Sequence, residues 1–175
     1  MYKDTAEQQS GDASEARTQT EEAIINEIIE KRQHSSYDDI QDKLEHGRGS
    51  HSREGLRATI ILEYGSKILA LKIDFDSNQF STFLTNTDNH QGRKENETTL
   101  LYKAAAIMMK RIADQHQKSF GYKLFTPDKK MVEWSNDSGQ KIFNWEKKES
   151  SVSKQEGGDV VYYSYHATIR PEDDK

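Results

Sequence analysis

The sequence predicts an α+β domain, a mixed and mostly antiparallel sheet flanked by helices. Three observations predict it. Apolar and polar residues alternate across 56–75 on either side of Gly65-Ser66, as in a hairpin with one buried face. Apolar residues recur at helical spacing before that hairpin and again over 97–118. From 120 onwards, strand-like and helical runs take turns. The predicted order is α-α-β-β-β-α-β-α-β-β, which places a parallel crossover between antiparallel pairs.

Residues 1–16 are expected to form a disordered acidic tail, 17–170 a single domain and 171–175 a short C-terminal tail. Over the first 22 residues Asp4, Glu7, Asp12, Glu15, Glu21 and Glu22 face only Lys3 and Arg17, with little apolar surface to offset ordering. Ile24, Ile25, Ile28 and Ile29 then mark a helix over 17–33. Ser35-Ser36 caps its partner, which runs through Tyr37, Ile40 and Leu44 to Gly47. In the hairpin, glycine at the first central position suits a type II′ turn. Phe80, Phe83 and Leu84 predict a third strand over 79–85. Asn96 is the expected cap of a helix whose stripe is Leu101, Ala105, Met108 and Ile112. A strand over 120–125 follows. Thr126-Pro127-Asp128 predicts a helix start, with Thr126 capping and Pro127 in the first turn, and Gly139 ends that helix. Ile142, Phe143 and Trp145 are read as a strand, 147–158 as a charged connection and 160–169 as the last strand.

Charge and composition exclude several functions. The net charge is −5 and no basic block is present, so no nucleic-acid partner is expected; Lys129-Lys130 and Lys147-Lys148 read as solvated surface. The absence of cysteine removes disulfides, thiolate metal sites and a cysteine nucleophile. No apolar run approaches a membrane span and no signal core opens the chain, so a cytoplasmic setting without membrane contact is expected. The sequons at Asn96 and Asn136 then read as chance matches. Ile24, Ile25, Ile28 and Ile29 offer more apolar surface than one-sided packing needs, which points to a protein partner or a homodimer through the 17–33 helix.

Phosphate loops, zinc-protease helices and nucleophile elbows are all missing. His46, His51 and His116 are scattered and no metal is expected. His166 shares a strand face with Tyr162 and Ser164, an arrangement suited to acid–base exchange or, more simply, to a half-exposed sheet face. Asp74 and Asp76 read as the solvated face of a strand, and Trp134 and Trp145 as packing residues.

The run from strand 79–85 through helix 97–118, strand 120–125, helix 127–138 and two closing strands resembles the GNAT N-acyltransferase superfamily. The segment from Thr126 to Ser135 and on to Gly139 carries part of the likeness, which covers about 17–169. The resemblance implies an acyl-CoA-dependent N-acyltransferase of degenerate type, using acetyl-CoA or another acyl-CoA. Pantetheine would lie between strands 79–85 and 120–125, and pyrophosphate on the loop opening the long helix, at Gln91, Gly92, Arg93, Lys94, Asn96 and Thr98. Backbone amides at a helix start attract phosphate, and glycine lets the chain come close. The family pattern Gln/Arg-x-x-Gly-x-Gly/Ala, begun at Gln91, puts Lys94 and Asn96 at the glycine positions; begun at Arg93, it puts Asn96 and Thr98 there. Glu95 and Glu97 bring negative charge to the same place. Trp134-Ser135 stands where the family has its tyrosine acid, leaving Ser135 as the hydroxyl, and 79–85 carries no acid to act as base. The alternative expectation is a non-catalytic binding or regulatory module on the same scaffold.

Overall fold

The computed structural model describes residues 20–35 and 57–172. The disordered-tail expectation, most of the helix over 35–47 and the loop histidines lie outside these residues. Residues 20–30 form helix α1. The strands are β1 (Gln33–Ser35), β2 (Arg57–Tyr64), β3 (Lys67–Asp74), β4 (Gln79–Asn86), β5 (Phe120–Thr126), β6 (Lys147–Ser153) and β7 (Val160–Ile169). Helix α2 (Glu97–His116) joins β4 to β5, and α3 (Lys129–Trp134) and α4 (Gln140–Phe143) precede β6. Among the described residues the strands form one sheet in the order β1-β2-β3-β4-β5-β7-β6. The α+β class, the mixed sheet and its mostly antiparallel pairing are as the sequence predicts.

Alternation in β2 and β3 sends Ala58, Ile60, Leu62, Leu69, Leu71 and Ile73 to one face, where all six are buried. Gly65 has φ of +61° and Ser66 keeps the ordinary sign, which suits the type II′ turn. Ile25, Ile28 and Ile29 of α1 join this core with Leu101, Ala105, Met109 and Ile112 of α2. Thus α1 and α2 pack on the same side of the sheet, and Lys103 of α2 bonds Glu21 of α1. Ile24 remains half-buried. No described helix is long and apolar enough to cross a membrane.

Several boundaries differ from expectation. Ser35 pairs with Thr59 as the end of edge strand β1, and the helix expected to open there lies outside the described residues. Asn96 holds the N-cap position of α2 but is left-handed (φ 58°), and its side chain caps nothing. At the next helix Asp128 is the cap, its side chain accepting from the Lys130 amide, while Thr126 Oγ1 accepts from the Asp128 amide. Pro127 therefore precedes the cap instead of following it. Gly139 does not end this helix. A π-helical turn, Ser135–Gly139, links α3 to α4. A Cβ at Gly139 would stand 3.1 Å from the Trp134 ring and 3.5 Å from Trp145, so the glycine makes room for two indoles. Ile142 and Phe143 are consequently helical, and the left-handed Asn144 stops the chain before Trp145. The three apolar residues fit a strand or a helix end equally, and packing against Tyr102 and Tyr122 decides for the helix. The charged stretch after Trp145 is β6, paired along its length with β7. Its side chains are almost all exposed, so no hydrophobic pattern marks it.

Candidate functional site

Two features of the sheet could grip a ligand, and both sit at the open end of β4. The first is a break in the sheet. β4 pairs with β3 over all of its length, and β5 with β7 likewise. Between themselves β4 and β5 pair in parallel only at Gln79↔Gly121, Phe80↔Tyr122 and Ser81↔Lys123. Beyond Ser81 and Lys123 the two strands part and leave a wedge. At its root, on the helix side, Thr82 Oγ1 lies 2.7 Å from the Tyr122 hydroxyl. Burial pushes Tyr122 well above its ordinary pKa and Tyr102 up to about 12, in each case against the lowering effect of the Thr82 hydroxyl. Both phenols stay protonated at neutral pH and serve as hydrogen-bonding groups, not as bases.

The second feature is the start of α2. Its first residue, Glu97, is only 4% exposed. One carboxylate oxygen accepts from the Ser66 amide at 2.7 Å, the other from the Lys94 amide at 2.9 Å, and the Ser66 hydroxyl is 2.9 Å from both. Burial by itself would raise the Glu97 pKa. The Lys94 and Ser66 amides, the Ser66 hydroxyl and the charge of Lys67 outweigh it and hold the carboxyl below its usual 4.5. The first turn of a helix also favours an anion. Gly65 completes the seat: a Cβ there would stand 2.7 Å from Glu97 Oε2 and 3.0 Å from the Gly92 carbonyl. The hairpin turn, the loop and the helix are thus tied together by one buried carboxylate.

The loop residues named from the sequence fall around this seat without facing outward as a group. Gln91 and Gly92 close a 3-10 turn. The Gly92 amide donates to the Asn89 carbonyl and to Asn89 Oδ1, both at 3.1 Å. The Lys94 amide is taken by Glu97, and the Lys94 ammonium lies 5.2 Å from the Tyr64 ring centroid. Arg93 and Asn96 are exposed, and Thr98 is half-buried in the first turn. The residues present fit a diphosphate poorly here, because the Glu97 carboxylate already holds the Lys94 amide and sets its own negative charge in the first turn of the helix.

Ser135, Tyr162 and His166 do not converge. Ser135 is fully buried at the π-turn; its Oγ has no hydrogen-bond partner and its carbonyl accepts from Trp145 Nε1. That places it on the helix side. Tyr162 and His166 lie on the opposite face, four strand residues apart, which is about 13 Å and too far to share a proton. Tyr162 stacks on Phe125 at 4.9 Å. His166 Nε2 lies 3.5 Å from Glu149 Oε2, and lysines flank it in the register, Lys123 on one side and Lys147 on the other. On the face of β3, Asp74 Oδ1 accepts from the Asp76 and Ser77 amides, so this pair stabilises a turn. Sequence reasoning passed over Glu97 as a seat-filler and Thr82 and Tyr122 as a bridge. An acid in the first turn of a helix was the available signal for Glu97; nothing in the sequence marked the bridge.

No protein-family model and no curated protein matches the chain. Among solved structures it is similar to a spermidine N-acetyltransferase chimera of Vibrio cholerae SpeG and hSSAT. That match has 14% identity and a TM-score of 0.45, and covers 73% of this chain and 79% of the other. It is also similar to the ribosomal-protein-S18-alanine N-acetyltransferase of Escherichia coli, with 9% identity and a TM-score of 0.45, covering 82% and 97% of the two chains.

Proposed function

We propose that this chain is a non-catalytic binding module built on a GNAT-like scaffold, in which the diphosphate seat of an acyl-CoA enzyme is filled from within. One observation carries this reading: the buried Glu97 carboxylate occupies the Ser66 and Lys94 amides. A diphosphate brought there would meet a carboxylate held ionised at neutral pH, with the Gly92 and Lys94 amides already bonded within the chain. The separation of Ser135 from Tyr162 and His166 supports the same reading, since these three candidates do not come within reach of one another. A cytoplasmic setting fits the cysteine-free sequence.

The second reading is an acyl-CoA-dependent N-acyltransferase that binds its cofactor in an unusual way. The parting of β4 from β5 favours it, because pantetheine needs such a gap. One experiment separates the two. Thermal unfolding with acetyl-CoA at millimolar concentration should leave the melting temperature of the wild-type protein unchanged. A saturable rise would establish binding to the native state through linkage and would overturn the reading of an internally filled seat.

A further inference from the structure

We propose that the wedge between β4 and β5 is a docking site for an extended peptide with alternating apolar and acidic side chains, added to the sheet as an extra strand. This deepens the non-catalytic reading and rests on it, since the wedge must be open to a partner. Strand addition needs unpaired main chain. Beyond Ser81↔Lys123, residues 82–86 of β4 and 124–126 of β5 have no strand partner on their facing sides. In such edges every second residue directs its N–H and C=O outward, where they require a partner. A free segment can bond to both edges at once. The outer edge of a second folded copy cannot enter, because it is already attached to its own sheet on one side.

The side chains on the two faces set the chemistry. Towards the helices the wedge is lined by Leu84, which packs on the core, and by the buried Leu124. Towards the open face its lips carry Phe83, 56% exposed, and Phe125, 52% exposed. Lys72 Nζ lies 4.7 Å from the centroid of Phe83, and Lys123 Nζ 5.5 Å from that of Phe125. On the same face Arg57 is paired with Asp74, and Lys147 with Glu149. Among the described residues Lys72 and Lys123 make no direct ion pair; Lys123 shares the nearby Glu149 carboxylate with Lys147, which bonds it, so positive charge predominates beside both lips. An inserted strand alternates its side chains between faces. Its apolar residues would meet Leu84 and Leu124, and its acidic ones Lys72 and Lys123. Of the two outer edges, β6 is almost wholly exposed and begins with two lysines, a pattern that resists pairing, and β1 is only three residues long.

The probe is fluorescein-labelled Glu-Val-Glu-Phe-Glu-Val-Glu, titrated with the full chain and followed by fluorescence anisotropy. Saturable binding is expected. The same peptide N-methylated at alternate amides, or with lysine in place of glutamate, should not bind. The double variant Lys72→Glu/Lys123→Glu should weaken binding by at least about tenfold, with unchanged melting temperature. Ser151→Pro, on the outer edge, should leave it intact. No saturable binding to the wild type overturns the proposal, as does equal binding of the N-methylated peptide. So does loss in Ser151→Pro with retention in the double lysine variant. Displacement of bound peptide by acetyl-CoA would uphold the site while overturning the internally filled seat on which the proposed function rests, so the two fail separately.

Discussion

The seat at the start of α2 and the wedge beside it lie at the same end of the sheet and have been finished in opposite ways. At the seat donors have found a partner inside the chain: two amides and a hydroxyl converge on Glu97, and Gly65 is bare so that the carboxylate can come close. In the wedge the main chain of two strands is left without partners, and its aromatic lips are half in water. An internally satisfied site contributes to stability and has nothing left to offer a ligand. An unsatisfied one contributes little to stability and keeps its capacity to bind.

That contrast can be broken by mutation, beginning where the effect is largest. Glu97→Ala leaves buried donors without an acceptor and should cost about 3 kcal/mol in chemical denaturation. Millimolar inorganic phosphate should then raise the melting temperature of this variant and not that of the wild type, since the amides become available to an outside anion. Next, Gly65→Ala should cost about 2 kcal/mol by the same measurement, from a left-handed backbone and from the push on Glu97. A pH series sharpens the comparison further. Glu97 has a folded pKa below its unfolded value, so its contribution is fully present above about 4.5 and is lost as pH falls through the lowered value. Stability of the wild type should therefore decline on that acid side more steeply than that of Glu97→Gln. Thr82→Val, which removes the partner of the buried Tyr122 hydroxyl at the root of the wedge, should cost about 1–2 kcal/mol. Phe83→Ser, at an exposed lip, should change stability by less than about 0.5 kcal/mol.

The parts of the fold legible in the sequence are those where burial writes a period into the chain. β2, β3 and β7 alternate, α2 carries an apolar stripe, and Gly65-Ser66 marks the turn between them. β6 was illegible because an exposed edge strand needs no apolar residue; its main chain alone holds it to β7. The helix across Gly139 was misread because that glycine answers a packing need, the closeness of Trp134 and Trp145, and not a backbone one. The site was legible in part. Acids in the loop before α2 stood out as hostile to phosphate, yet that Glu97 turns inward depends on Ser66, which lies 31 residues earlier in the chain. The parting of β4 and β5 has no sequence signal, because either strand alone looks like any other.

The three-rung parallel contact between β4 and β5 also makes the molecule divisible. On one side β2, β3 and β4 follow one another along the chain, and on the other β5, β6 and β7 do the same, so each block closes its own antiparallel ladders. Amide exchange should find two cooperative units, with the seam at 79–81 and 121–123 opening before either. Cleavage in the loop after β4 would leave two fragments able to reassociate across the apolar stripe of α2.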